Sequence, residues 1–338
     1  MENTKIDVCV CLYGKPYHTI LAIKSLLKFS RQHIGTIYVV EEMKQPQGDL
    51  NGGYLLRQVF ANEPVVFFKP SQFYNLGALD AAQVRVDEAY RYSIPYQYVL
   101  EKSDKKYVMV MHNDCLFHGD IVEKMLSLFA ENNPKLAGVG PIGQCWNCPA
   151  FFEKKCDGAT YDKFKPSQQE ASELMARHEI PRREITERLI AENRVHPLPE
   201  CRLNEYAALI DTEIYRKTTL PLGDNVTYAG AWDGNDWGTV WFYQMVNQGY
   251  DFKHIVLEDY AKHAPFNSVG NGISAYSNKS LYWETERLAK EHLDTVYGGI
   301  PKATLTTQVL SSCNSLKHFT KKKLLAVYFA VRKIAGMN

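Results

Sequence analysis

The chain has 338 residues, of which 45% are hydrophobic and 23% charged, enough apolar material for one large globular domain or two ordinary ones, which excludes a disordered or fibrous protein. Lys+Arg 39 against Asp+Glu 38 leave a formal charge of +1, so no global field draws the chain to nucleic acid, and a charge-driven partner must meet a local patch. The longest apolar runs, Tyr107 to Met111 and Leu324 to Val331, fall short of the ~20 residues that span a bilayer. The opening Met1-Glu2-Asn3-Thr4-Lys5-Ile6-Asp7 lacks the basic stretch and apolar core of a signal peptide, so a cytoplasmic protein is expected.

The first third alternates strand and helix signals. Ile6 to Leu12 is rich in β-branched residues, stops at Tyr13-Gly14-Lys15-Pro16, and leads into Thr19 to Leu27, whose apolar spacing suits a helix. Thr36 to Val40 reads as a second strand ending at Glu41-Glu42, and Pro64 to Phe68 as a short third. A helix is expected near Ala78. Lys106 to Met111 follows as a fourth strand, apolar on both faces as a buried parallel strand should be. The alternation predicts a parallel α/β sheet.

The middle changes character. From about 144 to 202 the chain carries Cys145, Cys148, Cys156 and Cys201, a Lys-rich stretch and a charged helical piece, Ser167 to Arg194, between Pro166 and Pro197; this reads as an insertion. Tyr206 to Ile210 resumes strand composition, Trp237 to Val246 has helical spacing and stops at Gly249, and Lys253 to Leu257 reads as another strand. The organisation expected is one domain over residues 1–300, with the insertion inside it, and a tail over 301–338.

In open parallel sheets ligands bind beyond the carboxyl ends of the strands. There the sequence places Leu12-Tyr13-Gly14-Lys15-Pro16, Glu41-Glu42 and His112-Asn113-Asp114-Cys115. His112 and Asp114 alternate around Asn113, a spacing that lets one or both reach a divalent ion. The same residues would also serve a polar strand end whose Asp caps the next helix.

Taken together, the first βα unit, the strand ending in acid, Asn75-Leu76-Gly77-Ala78 and Tyr107 to Asp114 resemble the nucleotide-sugar-dependent glycosyltransferases of the GT-A fold, family 2 in style. That is a Rossmann-like α/β architecture, here with the Cys-containing insertion and a C-terminal helical tail added. The family's last strand ends in Asp-x-Asp, which holds a metal on the donor diphosphate. His112 stands for the first Asp and Asp114 for the second. Ala231-Trp232-Asp233-Gly234-Asn235-Asp236-Trp237-Gly238 is similar to the segment in which a Glu-Asp pair opens a helix beside the acceptor, with Asn235 in place of Glu.

The resemblance implies Asp236 as the base of an inverting transfer, and Mn2+ or Mg2+ held by Asp114, His263 and His112. It places Leu12, Tyr13, Gly14, Glu41, Glu42, Asn75, Gly77 and Asn113 around the donor nucleotide, and Glu205, Trp232, Asp233 and Trp237 near the acceptor. The implied partners are a nucleoside-diphosphate sugar and a glycan or lipid-linked glycan, in bacterial surface polysaccharide synthesis such as O-antigen. Three other readings stay open: a retaining transferase, a sugar nucleotidyltransferase, for which Leu12-Tyr13-Gly14-Lys15-Pro16 is a poor phosphate loop, and a non-catalytic carbohydrate-binding protein.

Two further features stand outside the resemblance. Cys145-Trp146-Asn147-Cys148 is a Cys-x-x-Cys knuckle that Cys156 and Cys201 would complete as a four-thiolate Zn2+ site, the alternative being reduced thiols or an adventitious disulfide. Leu316 to Met337 sets Lys317, Lys321, Lys322, Lys323, Arg332 and Lys333 among apolar residues. A basic amphipathic helix of this kind can lie peripherally on an anionic membrane surface or pack on the domain.

Overall fold

The computed structural model describes residues 4–74, 79–131, 133–143, 145–267 and 276–334. Its core is a mixed, mostly parallel sheet in the order β3-β2-β1-β4-β7-β6-β8. The strands are β1 (Ile6–Leu12), β2 (Ile34–Glu41), β3 (Val65–Phe68), β4 (Tyr107–Met111), β6 (Leu136–Gly140), β7 (Ala207–Asp211) and β8 (Asp251–His254). β1 runs parallel to both β2 and β4, as their near-continuous apolar character predicts. Helix α1 (Pro16–Ser30) lays Ile20, Ile23, Leu26 and Leu27 on one face of the sheet, against Val8, Val10 and Met109. The opposite face, with Cys9, Val108, Val110 and Ile210, packs on Val99, Leu100 and, from the helix Thr239–Asn247, Trp241 and Phe242.

One strand departs from the parallel expectation. β7 is antiparallel to both β4 and β6, pairing Tyr107 with Asp211 and Met111 with Ala207. β6 delivers the chain to the edge of the sheet that bears the carboxyl ends of β1 and β4. The insertion occupies that edge, with Asn204 N–H bonded to the Pro141 carbonyl at 2.7 Å, so the returning strand must start there and run the other way. Periodicity cannot report this, because a strand buried on both faces reads the same in either direction.

A second, two-stranded sheet pairs β5 (Cys115–Phe117) with β9 (Ala261–His263), antiparallel and in register Cys115 to His263. These three-residue strands gave no sequence signal of their own. Elsewhere the differences are local. The charged piece of the insertion is two helices, Gln168–Arg177 and Arg183–Ala191, broken where His178 turns extended and Arg182 adopts φ 55°. Its small core is Ala150, Ala171, Leu174, Met175, Ile190 and Leu198. The helix expected near Ala78, a position outside the described residues, runs Ala81–Val86, its start fixed by Asp80 accepting from the Ala82 N–H at 2.8 Å. The helix expected from Trp237 starts at Thr239, because Gly238 at φ 80° interrupts the chain.

The C-terminal helix Leu305–Ile334 is anchored near its start, where Asn314 Nδ2 donates to the Leu50 carbonyl at 2.9 Å and Asn51 Nδ2 to Ser315 Oγ at 3.1 Å. Beyond that contact Leu316, Phe319, Leu324, Leu325, Val327, Tyr328 and Phe329 are 45–65% exposed. Among the described residues no helix is long and apolar enough to cross a membrane.

Candidate metal and donor site

The site is built where α1 begins. A helix starts with backbone N–H groups that no helical carbonyl can satisfy, and no side chain of the local sequence caps this one. Distant residues do so instead. Tyr282 OH accepts from the Lys15 N–H at 2.6 Å, and Glu286 accepts from the Tyr17 and His18 N–H groups at 3.0 and 3.2 Å. The preceding Gly14, at φ 64°, has no room for a side chain, since a Cβ would strike Tyr282 and Pro46. Lys15 itself is held at φ 51° with its side chain 1% exposed, a left-handed conformation that costs a non-glycine residue roughly 1 kcal/mol. The turn spends that energy to aim a lysine inward.

Lys15 Nζ lies 3.7 Å from Asp114 Oδ2. On the carboxylate's other oxygen, His263 Nε2 is at 3.3 Å and His112 Nδ1 at 3.8 Å, while the two imidazoles approach each other to 3.4 Å. The β5–β9 pairing makes the cluster, because it sets His263 opposite Cys115 and bonds the Ala264 N–H to the Asp114 carbonyl at 2.9 Å. Burial alone would raise the Asp114 carboxyl, yet His263, Lys15 and His112 outweigh it and hold it well below the usual carboxylate range. His112, Asp114 and His263 each offer one ligand atom, all within 4.8 Å of one another. One carboxylate oxygen and two imidazole nitrogens suit a borderline divalent ion such as Mn2+ better than Mg2+, which prefers oxygen throughout.

From this cluster a chain of charge contacts leads across the sheet edge. His112 Nε2 is 3.6 Å from Glu205 Oε1, Glu205 Oε2 accepts from Arg202 Nε at 3.2 Å, and an Arg202 terminal nitrogen lies 3.3 Å from Asp236 Oδ2. Burial disfavours a charged Glu205, but the Arg202 guanidinium, His112 and a backbone N–H together more than compensate and bring it down to about 2. His112 likewise loses charge to burial but regains it from Glu205 and Asp114, and its pKa is raised. Asp236 also meets Arg182 at 3.3 Å and accepts from the Trp237 N–H at 3.0 Å through Oδ1. It lies two residues before the N-cap Gly238, so its charge partners are two guanidinium groups and not a helix start.

The remaining expected residues divide. Tyr13 stacks on Phe73 at 5.3 Å and leans on Tyr276 at 5.2 Å, an aromatic wall beside Lys15. Asn113 is a buried strut, donating to the Gly14 carbonyl at 3.3 Å and to Thr19 Oγ1 at 3.2 Å. Leu12 is in the core, and its carbonyl receives Gln45 and the Glu42 N–H. Glu41 is engaged by Arg57 and Lys69 at 2.8 and 3.1 Å. Glu42 turns inward. Trp232 is 8% exposed, its indole N–H bonded to Thr227, and is not presented as an open acceptor contact, whereas Asp233 pairs with Arg194 at 2.7 Å with 45% of its side chain exposed. Trp237 keeps a buried indole nitrogen without a hydrogen-bond partner among the described residues. Asn75 and Gly77 lie outside the described residues. Lys15, Arg182, Arg202 and Tyr206 were not singled out from the sequence. Lys15 sat within the Gly14-Lys15-Pro16 turn, but nothing local indicated that it would point inward. Tyr206 stacks on His263 at 4.0 Å.

No family model matches the chain, and no curated protein does. Solved structures similar to it are glycosyltransferases. A mannosyltransferase from Pyrobaculum calidifontis, in complex with GDP-Man and Mn2+, matches at TM-score 0.47 and 10% identity, covering 100% of this chain and 84% of that one. Mouse xyloside xylosyltransferase 1 matches at TM-score 0.38 and 12% identity over 75% and 85% of the two chains. The mannosyltransferase Ktr4p from S. cerevisiae matches at TM-score 0.30 and 11% identity over 64% and 58%. At such scores these likenesses carry no weight on activity, which must be read from the side chains.

Glu42 offers a test of the site's electrostatics. Its side chain is 4% exposed, one carboxylate oxygen has no hydrogen-bond partner among the described residues, and burial pushes it from 4.5 up to about 8. The folded chain therefore keeps a proton that the unfolded chain releases, so this group lowers stability progressively as pH rises between those two values. Glu42→Gln retains the shape without the titration. Urea unfolding should show the variant gaining about 1–3 kcal/mol on the wild type between pH 4.5 and pH 8; a difference independent of pH would contradict the assignment.

Proposed function

We propose that the chain transfers a sugar from a nucleoside diphosphate to a hydroxyl of a glycan or lipid-linked glycan, in a bacterial surface polysaccharide pathway and with inversion. The observation that carries this reading is the buried Asp114 carboxylate set among Lys15, His112 and His263 where β1 and β4 end, the edge at which open α/β sheets bind their ligands. His112, Asp114 and His263 would hold the divalent ion. When bound, that ion would neutralise charge building on the departing diphosphate.

The chain's own groups divide the rest of the work. Lys15 supplies a cation for the diphosphate, and Tyr13 an aromatic face for the base. Asp236, 29% exposed, takes the proton of the acceptor hydroxyl as that oxygen bonds to the anomeric carbon and the bond from that carbon to the diphosphate oxygen breaks. Arg182 and Arg202 hold one Asp236 oxygen in place. The nucleoside diphosphate leaves with the electron pair.

The C-terminal helix supports a lipid-linked acceptor. After Asp294 the sequence has no acidic residue and seven lysines and arginines, which repel a second copy of the helix and suit an anionic lipid surface. The exposed apolar residues from Leu316 to Phe329 would enter that surface.

Nucleoside diphosphate released from UDP-, GDP- and dTDP-hexoses with Mn2+ should be detected for one donor class, and Asp236→Asn should lower that rate by about 10²–10⁴-fold while keeping the donor's thermal stabilisation. Equal, negligible release by both proteins and no stabilisation by any donor would overturn the reading. For the membrane, the chain should co-sediment with phosphatidylglycerol vesicles but not with phosphatidylcholine vesicles, and Leu324→Glu should weaken this. Sedimentation unaffected by lipid charge and by the substitution would overturn a surface-bound helix.

A further inference from the structure

We propose that Cys145, Cys148, Cys156 and Cys201 hold one Zn2+ at the root of the insertion, a site separate from the Mn2+ cluster. The four thiols come from three segments and line one small cavity, together with Gly143 and Asp157. Its accessible volume of about 20 Å³ admits a single water-sized occupant. None of the four is in a disulfide.

Backbone geometry around the sulfurs favours an ion over four inert thiols. Cys145 to Asn147 forms a tight turn, closed by the Cys148 N–H on the Cys145 carbonyl at 3.1 Å. The Phe151 and Phe152 N–H groups bond the Cys148 carbonyl at 3.0 and 3.2 Å, so the backbone that carries the knuckle's second sulfur is fixed. No three of the sulfurs lie within 4.8 Å of one another, so coordination at the usual ~2.3 Å Zn–S distance draws the loops inward. Cys156 is the ligand placed to move, since it sits on a turn where its Sγ contacts only the Asp157 carbonyl, at 3.6 Å, among hydrogen bonds.

The insertion needs such a tie. Its core is six buried residues, Ala150, Ala171, Leu174, Met175, Ile190 and Leu198, and a bound ion contributes folding free energy that so thin a core lacks. The tie also has a position. Trp146, inside the knuckle and 54% exposed, is parallel to Tyr206 within 11° at 6.4 Å, and Tyr206 stacks on His263. Zinc at the cysteines would therefore fix an indole at the mouth of the candidate metal and donor site.

The test is the metal content of the full-length chain, purified with reductant and dialysed against metal-free buffer. Elemental analysis should find one zinc per chain, and Co2+ replacing it should show the intense near-ultraviolet band of thiolate ligation. Cys148→Ala and Cys201→Ala should fall below about a tenth of the wild-type zinc, while Cys313→Ala, in the exposed C-terminal helix, should keep it. Should the alanine variants fail to fold, the wild-type cobalt spectrum still decides. Wild-type protein that takes up neither Zn2+ nor Co2+ under reductant, or that carries a disulfide among these cysteines, would overturn the proposal.

Discussion

A carboxylate with 4% of its side chain exposed keeps its charge only if its surroundings replace the water it has lost, and Asp114 meets that condition from three directions. Lys15 approaches from the α1 turn, His263 from β9 and His112 from the end of β4. Each depends on a different part of the fold. Lys15 needs Tyr282 and Glu286, from the helix Lys279–Val296, to satisfy the N-terminus of α1. His263 needs the β5–β9 pairing. Removing any one would leave a buried charge poorly compensated, at a cost of several kcal/mol, so the cluster constrains segments spread over most of the chain.

On the far side of the same edge the logic repeats with arginine. Glu200, Glu205 and Asp236 converge on Arg182 and Arg202, and burial of Arg202 at 1% exposure is tolerated because carboxylates surround its planar fork. Asp236 precedes the helix Thr239–Asn247 and Arg182 opens the helix Arg183–Ala191, whereas Glu200, Arg202 and Glu205 come from the end of the insertion and the approach to β7. The reversed direction of β7 is what places them beside His112, since a parallel strand would have begun at the opposite edge. The insertion is thereby part of the site and not an ornament on its surface.

Much of this was legible in the sequence. β1, β2 and β3 announce themselves through β-branched runs ended by Gly, Pro or acids and β4 through its unbroken apolar run, and the grouping of Asp114, His112 and His263 was expected from strand ends plus the family resemblance. What escaped has physical reasons. β7 carries no directional signal because both faces are buried. β5 and β9 are three residues each, too short for any periodicity, and their pairing spans the distance from Cys115 to His263. Lys15 reads as an exposed turn lysine until one sees that Tyr282 and Glu286 arrive from more than 260 residues away. Trp232 looked like an acceptor platform, but its N–H meets Thr227 inside the core. Long-range satisfaction of backbone donors, invisible in a local window, decided the Lys15 turn and the β5–β9 pairing.

In the proposed function, His112, Asp114 and His263 bind a divalent ion on which nucleoside diphosphate binding depends. Electron paramagnetic resonance of Mn2+ titrated with the chain measures this directly, because bound ion loses the free-ion signal. One Mn2+ site per chain should appear and tighten when UDP or GDP is added, weakened by about tenfold or more in both Asp114→Asn and His263→Ala. Nucleotide binding with equal affinity with or without Mn2+, or Mn2+ binding untouched by both substitutions, would contradict it.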